Sequence, residues 1–278
     1  MDQILNNSFQ PLSTTAAQYK EQYQSAAPFP NIYFDNFFDP SFLSKVLKEF
    51  PDLSQGKNAS YNSPTEIKLA SKGAERFSSS ALQLANFLNS EHFLRFLQEL
   101  TGIEEALIPD PYFEGGGYHE IKPGGFLKIH ADFNKHRLSK LDRRINVLVY
   151  LNKDWEESYG GHFELWDEDM KTCRVRIAPL FNRLAIFSTT SNSYHGHPDP
   201  LTCPADRSRR SFALYYYTNG RPAAEVKAFE AAHGTLFKAR QGMEGDEKMK
   251  QFTRTAGFIK NITPPFLFHL IRKIFIKD

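Results

Sequence analysis

Cysteine is nearly absent from this 278-residue chain: only Cys173 and Cys203 occur. So sparse a pair builds no disulfide framework, and a reducing, cytoplasmic setting is expected. Neither has a second Cys or His at zinc-ligand spacing, which sets aside a structural zinc site. Excess charge is missing too. Lys and Arg number 34 against 32 Asp and Glu, so the balance makes no case for nucleic acid or an acidic surface as partner. No apolar run approaches the roughly 18 residues that a membrane span requires. The N-terminal MDQILNNSFQPLSTTAAQYK lacks the basic-then-apolar pattern of a secretory signal. What the chain does hold in quantity is aromatic: 25 Phe and 12 Tyr, residues that suit the pleated surfaces of a β-rich core.

Three parts follow from the patterning. Residues 1–28 are polar, without clear periodicity, and are expected to form an arm. A domain over 29–219 opens with the alternating FPNIYFDNFF, after which Asp39 and Pro40 make a helix start. Leu43, Val46, Leu47 and Phe50 then fall at helical spacing. Residues 51–78 are polar and turn-rich. A second helical block runs from about Ser80 to Leu100, with Ser90 as a cap, Phe93, Phe96, Leu97 and Leu100 as one stripe, and Gly102 as a stop.

From about 112 to 219 the chain changes to short β-type runs: YFEGGGYHEIK, GFLKIHADFN, RINVLVYLN, HFELWD, CRVRIAP, RLAIFST and RRSFALYYYT, parted by turn signals. Strands in succession without intervening helices imply a β-rich α+β fold with a sandwich or jelly-roll core. Residues 220–278 return to helical composition. Their last stretch starts at Thr263 and Pro264 and carries an apolar stripe of Phe266, Leu267, Leu270, Ile271, Ile274 and Phe275. That stripe suits packing on the barrel, a homodimer contact or a membrane-surface helix.

Chemistry first shows in GGFLKIHADFNKH. His130 and Asp132 stand two apart in a strand-type run, so they share a face. In isolation such a pair is an ordinary exposed strand pair, a proton relay, or two ligands of a metal. A later loop, SNSYHGHPDP, carries His195. Two His and one carboxylate from a strand and a distant loop make up a facial triad for non-haem Fe(II), with open positions opposite. His197 competes with His195 by spacing, whereas His136 and His162 suit surface or supporting roles. A chelating keto diacid would need its far carboxylate held, and a guanidinium does so with a planar fork. SRRSFALYYYT offers one: Arg209 shares a face with Ser211, Ala213 and Tyr215, and Arg210 points the other way as the alternative.

Taken in order, these motifs resemble the prolyl-4-hydroxylase-like branch of the Fe(II)/2-oxoglutarate-dependent oxygenases. HAD matches that family's HxD element. RRINVLVYLNKDW looks like its strand leading to YLN, YGGHFELWD matches its GG turn and strand, and FNRLAIFST with YHGHP looks like its distal-His region. RRSFALYYY resembles its R-x-S/T strand. The resemblance implies a double-stranded β-helix and a hydroxylase that consumes 2-oxoglutarate and O2 on Fe(II), with ascorbate as a reductant that rescues the metal. It makes His130, Asp132 and His195 the ligands, with Arg209 and the hydroxyl of Tyr150 gripping the distal carboxylate of 2-oxoglutarate. Ser211 and Asn146 lie on the same faces as these anchors, since Arg144, Asn146, Leu148 and Tyr150 alternate together. The connection from His195 to Arg209 departs from the pattern in being long and in holding Pro198, Pro200 and Pro204.

Related halogenases replace the ligand Asp with a small residue, so Asp132 disfavours halogenation. The rival readings are a cupin-like isomerase or hydrolase and a non-catalytic jelly-roll module; neither needs Arg209 and Tyr150. The substrate implied is an amino acid, a peptidyl residue or a natural product, bordered by segments 133–144 and 109–121.

Overall fold

The computed structural model describes residues 3–222, 225 and 232–262. In chain order its elements are α1 (Leu12–Gln24), β1 (Asn31–Asp35), α2 (Pro40–Lys48), β2 (Ala59–Asn62), β3 (Glu66–Ala70), α3 (Ser79–Leu88), α4 (Glu91–Thr101), β4 (Ile108–Pro109), β5 (Gly117–Ile121), β6 (Phe126–Ala131), β7 (Asp142–Tyr150), β8 (Phe163–Trp166), β9 (Cys173–Ile177), β10 (Arg183–Ser188), β11 (His195–His197), β12 (Arg209–Thr218), β13 (Leu236–Phe237) and α5 (Glu247–Ile262). The strands join in one antiparallel sheet in the order β1-β10-β7-β12-β5-β3-β6-β11-β8-β9, with β2, β4 and β13 added at its margins. It curls into the double-stranded β-helix expected from the sequence. All seven β-type runs appear, as β5 to β10 and β12.

Helices cover one side of this sheet because their ends and stripes dictate it. Asp39 caps α2 by accepting from the Phe42 amide at 2.9 Å, with Pro40 at its first turn. Ser90 caps α4, and Gly102 ends it in the left-handed conformation. The α4 stripe of Phe93, Phe96, Leu97 and Leu100 is buried against Ile145, Val147 and Val149 of β7 and Phe212, Leu214 and Tyr216 of β12, within one continuous core. Alternation then turns Asn146, Leu148, Tyr150, Arg209, Ser211 and Tyr215 to the sheet's other side.

Several segments differ from the sequence reading, among them β11, which lies in a stretch read as a loop. Residues 12–24, read as part of an arm, form α1, which buries Leu12, Thr15, Ala16 and Tyr23. Its apolar face is too thin to stand out; it is held by contacts such as Tyr23 Oη to Ser188 Oγ at 2.8 Å. The turn-rich 51–78 contains the β2–β3 hairpin, whose second strand bridges β5 and β6. After β12 the chain lays down β13 against β6 before α5 begins. The apolar stripe from Phe266 to Phe275 lies outside the described residues.

The last difference is a bulge. Tyr216 pairs with Ile145 but Tyr217 pairs with Arg143, so Arg144 is an extra residue in β7. Both cysteines are free, and among the described residues no helix is long and apolar enough to cross a membrane.

Candidate active site

His130 near the end of β6 and His195 at the start of β11 sit opposite one another on paired strands. Gly196 lets the two backbones close, since a Cβ there would lie 2.7 Å from the carbonyl of Leu127 and 2.9 Å from that of Lys128. Asp132 follows directly after β6. Nε2 of His130 lies 3.6 Å from Oδ1 of Asp132 and Nε2 of His195 3.4 Å from its Oδ2. One donor atom from each of the three residues falls within 4.8 Å of the other two. The sequence thus brings together the three side chains singled out as ligands, and His197 is not among them.

Each imidazole is pinned through Nδ1, which faces the carbonyl of Lys128 for His130 and of Ser193 for His195, both at 2.8 Å. Donation from Nδ1 leaves the Nε2 lone pair aimed at the carboxylate. Three potential donor groups then face one another, an arrangement that a divalent cation of the Fe(II) class would satisfy. The donor set fits the metal implied by the motifs. Phe187 and Phe163 wall His195, at ring-centroid distances of 4.6 and 5.4 Å.

The carboxylate of Asp132 is held from behind by two residues of β7. Asn146 Nδ2 donates to Oδ2 at 2.7 Å, and Nη2 of Arg143 lies 3.1 Å from the same oxygen, an ion pair rather than a well-aimed hydrogen bond. Arg143 Nε donates to Asn146 Oδ1 at 2.9 Å, so the amide of Asn146 is engaged at both ends. Burial alone would raise the Asp132 carboxyl, but Arg143 and the two imidazoles outweigh it and hold the group well below its usual range. Arg143 is itself buried, its guanidinium 3.5 Å from the Tyr215 ring centroid and 4.4 Å from that of Phe133.

Sequence reasoning missed Arg143. Counting back by twos from Tyr150 puts Arg144 on this face; the bulge turns Arg143 inward instead. Arg144 goes to Glu105, Thr218 and Glu225.

Across the cavity, Arg209 is buried. Its Nε donates to the Gly161 carbonyl at 2.7 Å and its Nη2 to Tyr150 Oη at 3.3 Å. Gly161, the second glycine of YGG, leaves room for it: a Cβ there would meet Arg209 Cδ at 3.0 Å. Among the described residues no carboxylate lies within ion-pair distance of Arg209, and burial lowers its pKa with Tyr150 opposing. A buried guanidinium without a counter-charge is costly, and a bound carboxylate would repay that cost. Burial likewise raises the Tyr150 hydroxyl, with Arg209 partly offsetting it, so the hydroxyl keeps its proton. Ser211 is buried opposite Tyr150 in the β7–β12 pairing. Arg210 points away, to Ser208 at 3.0 Å and Glu120 at 3.4 Å.

His136 is buried beside Asp110 and Glu114 and accepts from Ser139, while His162 pairs with Glu157; neither joins the cluster. A further contribution arrives from beyond the jelly roll. In β13, Phe237 pairs with His130 and packs its ring 5.4 Å from the imidazole, and the His233 amide donates to Asn134 Oδ1 at 2.9 Å. Two apolar residues in a polar stretch gave no signal that this segment would return to the strand that carries His130.

Comparison with known proteins agrees with this geometry. Residues 116–217, from β5 into β12, match the model of the 2OG-Fe(II) oxygenase superfamily. No curated protein matches the chain. Among solved structures, the chain is similar to a Trichoplax adhaerens prolyl hydroxylase in complex with a hypoxia inducible factor peptide fragment. They share 19% identity and a TM-score of 0.57 over 76% of this chain and 92% of that one. A Pseudomonas putida prolyl-4-hydroxylase is similar at 13% identity and a TM-score of 0.53, over 74% of this chain and 100% of the other. HygX from Streptomyces hygroscopicus, with nickel and 2-oxoglutarate bound, aligns at 12% identity and a TM-score of 0.50, over 78% and 96%. Identities this low establish a shared fold; the superfamily match lies on residues 116–217, the part that holds the His-Asp-His cluster, Tyr150 and Arg209, and enzymes of that superfamily use Fe(II), 2-oxoglutarate and dioxygen.

Proposed function

We propose that this protein is a hydroxylase in which His130, Asp132 and His195 hold Fe(II) while Arg209 and Tyr150 hold the distal carboxylate of 2-oxoglutarate. Its substrate is an amino acid, a peptidyl residue or a natural product. One observation carries the reading: the three converging donors share an interior with a buried arginine that has no anionic partner among the described residues. A cupin-like metalloenzyme has no use for that arginine.

Fe(II) held at the triad would activate dioxygen, the oxidant, one atom of which would enter succinate as 2-oxoglutarate loses carbon dioxide and the other the substrate C–H to give C–OH. The chain's own residues do the rest. Nδ1 hydrogen bonds to Lys128 and Ser193 fix the imidazoles, and Asn146 and Arg143 fix the carboxylate, so the ligands need no rearrangement on binding. Arg209 supplies charge and Tyr150 a protonated hydroxyl to the diacid's far end. Phe163 and Phe187 exclude water behind His195. The peptide in the Trichoplax complex favours a peptidyl residue among the three substrate classes.

Anaerobic addition of Fe(II) and then 2-oxoglutarate should give a weak visible charge-transfer band that is absent in His130→Ala. A wild-type protein without the band would overturn the reading. Succinate release across a panel of amino acids and peptides then identifies the substrate.

A further inference from the structure

Beside the triad and its carboxylate grip lies a further buried imidazole. His197 stands two residues after His195 on β11, opposite Leu127 of β6, with a register shift in the β6–β11 pairing between them. It is 3% exposed. Neither of its ring nitrogens has a hydrogen-bond partner among the described residues.

Its neighbours are treated differently. His130 and His195 are tied to carbonyls, His119 bonds the Gly115 carbonyl, His136 accepts from Ser139, and His162 bonds Glu157. An imidazole buried with both nitrogens unsatisfied is costly, and such a group in a native protein calls for an absent partner. Beyond the Gly196–Glu164 pair, β11 runs on towards the Gly161 end of β8, where the Arg209 guanidinium donates to a carbonyl, and the charges that bear on the ring are cations, Arg209 first and then Lys68. A metal ion there would be repelled; an anion would be welcomed.

We propose that His197 is a third polar contact for the diacid co-substrate, donating a ring N–H to the carboxylate that Arg209 and Tyr150 grip. This rests on the oxygenase reading above and adds a residue to it. The imidazole is a positioning group: its unsatisfied nitrogens keep the pocket polar until the diacid arrives, at the expense of the free protein's stability.

Two measurements on one variant separate this from a packing role. Calorimetric titration of 2-oxoglutarate into the Mn(II)-loaded protein reports co-substrate affinity without turnover, and thermal melting of the metal-free protein reports stability. In His197→Leu, affinity should fall about ten- to a hundredfold, while the metal-free melting temperature rises by roughly 2–4 °C as the unsatisfied nitrogens are removed. His197→Gln, which keeps a donor, should recover part of the affinity. His197→Phe, which keeps a ring without nitrogen, is the second variant should the leucine protein not fold. Affinity within twofold of wild type in a folded Leu or Phe variant overturns the proposal and leaves the oxygenase reading standing. Failure of the wild type to bind 2-oxoglutarate overturns both.

Discussion

Strand β12 serves two regions that could hardly differ more. On one side Phe212, Leu214 and Tyr216 enter the core beneath the helices, among Leu97, Leu100 and Leu184. On the other, Arg209, Ser211 and Tyr215 face a polar interior that also holds Tyr150, Asn146, Arg143 and the His-Asp-His cluster. Both sides are buried. One is held by apolar packing, with the Tyr216 hydroxyl donating to the Leu88 carbonyl at 2.9 Å; the other carries guanidinium and imidazole groups whose partners are incomplete in the free chain. The helix side contributes most of the molecule's stability, and the inner side sets what it binds. Substitutions should therefore move stability or ligand affinity according to the side they fall on.

The largest contrast is between consecutive arginines. Arg209→Ala should weaken 2-oxoglutarate binding roughly 30- to 1,000-fold, the expected loss for truncating one partner of a buried charge pair. Arg210→Ala, on the opposite face, should stay within about twofold. Calorimetric titration of the metal-loaded protein measures both, and equal effects would break the division between faces.

On the helix side, Leu184→Ala should cost about 2–5 kcal/mol in urea unfolding, the range for emptying a packed core position. Mn(II) and 2-oxoglutarate affinities of the folded variant should stay as in wild type.

Arg143→Gln tests the support behind Asp132. It should lower metal affinity about 10- to 100-fold, read by Mn(II) titration, while 2-oxoglutarate binds the metal-saturated variant nearly as well as wild type.

The smallest effect concerns pH. Burial first, then Lys68, push His119 down to about 3. Its ordinary value in the unfolded chain is about 6.5, so below that pH the unfolded state binds the extra proton. Stability contributed by the neutral ring is full above about 6.5 and declines as pH falls from there towards 3. The melting temperature of the metal-free protein should drop across that window, and less steeply in His119→Gln.

Much of this was legible beforehand because local chemistry agreed with the fold. Asp39-Pro40 and Ser90 mark helix starts by hydrogen bonding that any chain would use, and seven β-type runs are strands. The triad was legible because HxD spacing on a strand needs no tertiary information beyond the position of a second histidine. Other features were not. Helix α1 has too thin an apolar face to announce itself, and β11 spans only His195–His197 inside a loop-like stretch. The β2–β3 hairpin is polar and half-buried, so alternation is muted. Phe237 reaches His130 through a pairing between segments far apart in the chain, which no local pattern encodes.

The extra residue at Arg144 acts as a frame shift within a single strand. From Ile145 onward, even positions look inward; one step earlier, the odd-numbered Arg143 does. Deleting Arg144 would restore strict alternation with β12 and let Arg143 keep its place opposite Tyr217, whereas deleting Arg143 would move Arg144 into the vacancy as a like-for-like substitute. Inserting a residue on the Tyr150 side of the bulge would be far harsher, because it would invert Asn146 and strand the Asp132 carboxylate without its amide. Length variation in this strand is thus tolerable at one end and ruinous at the other.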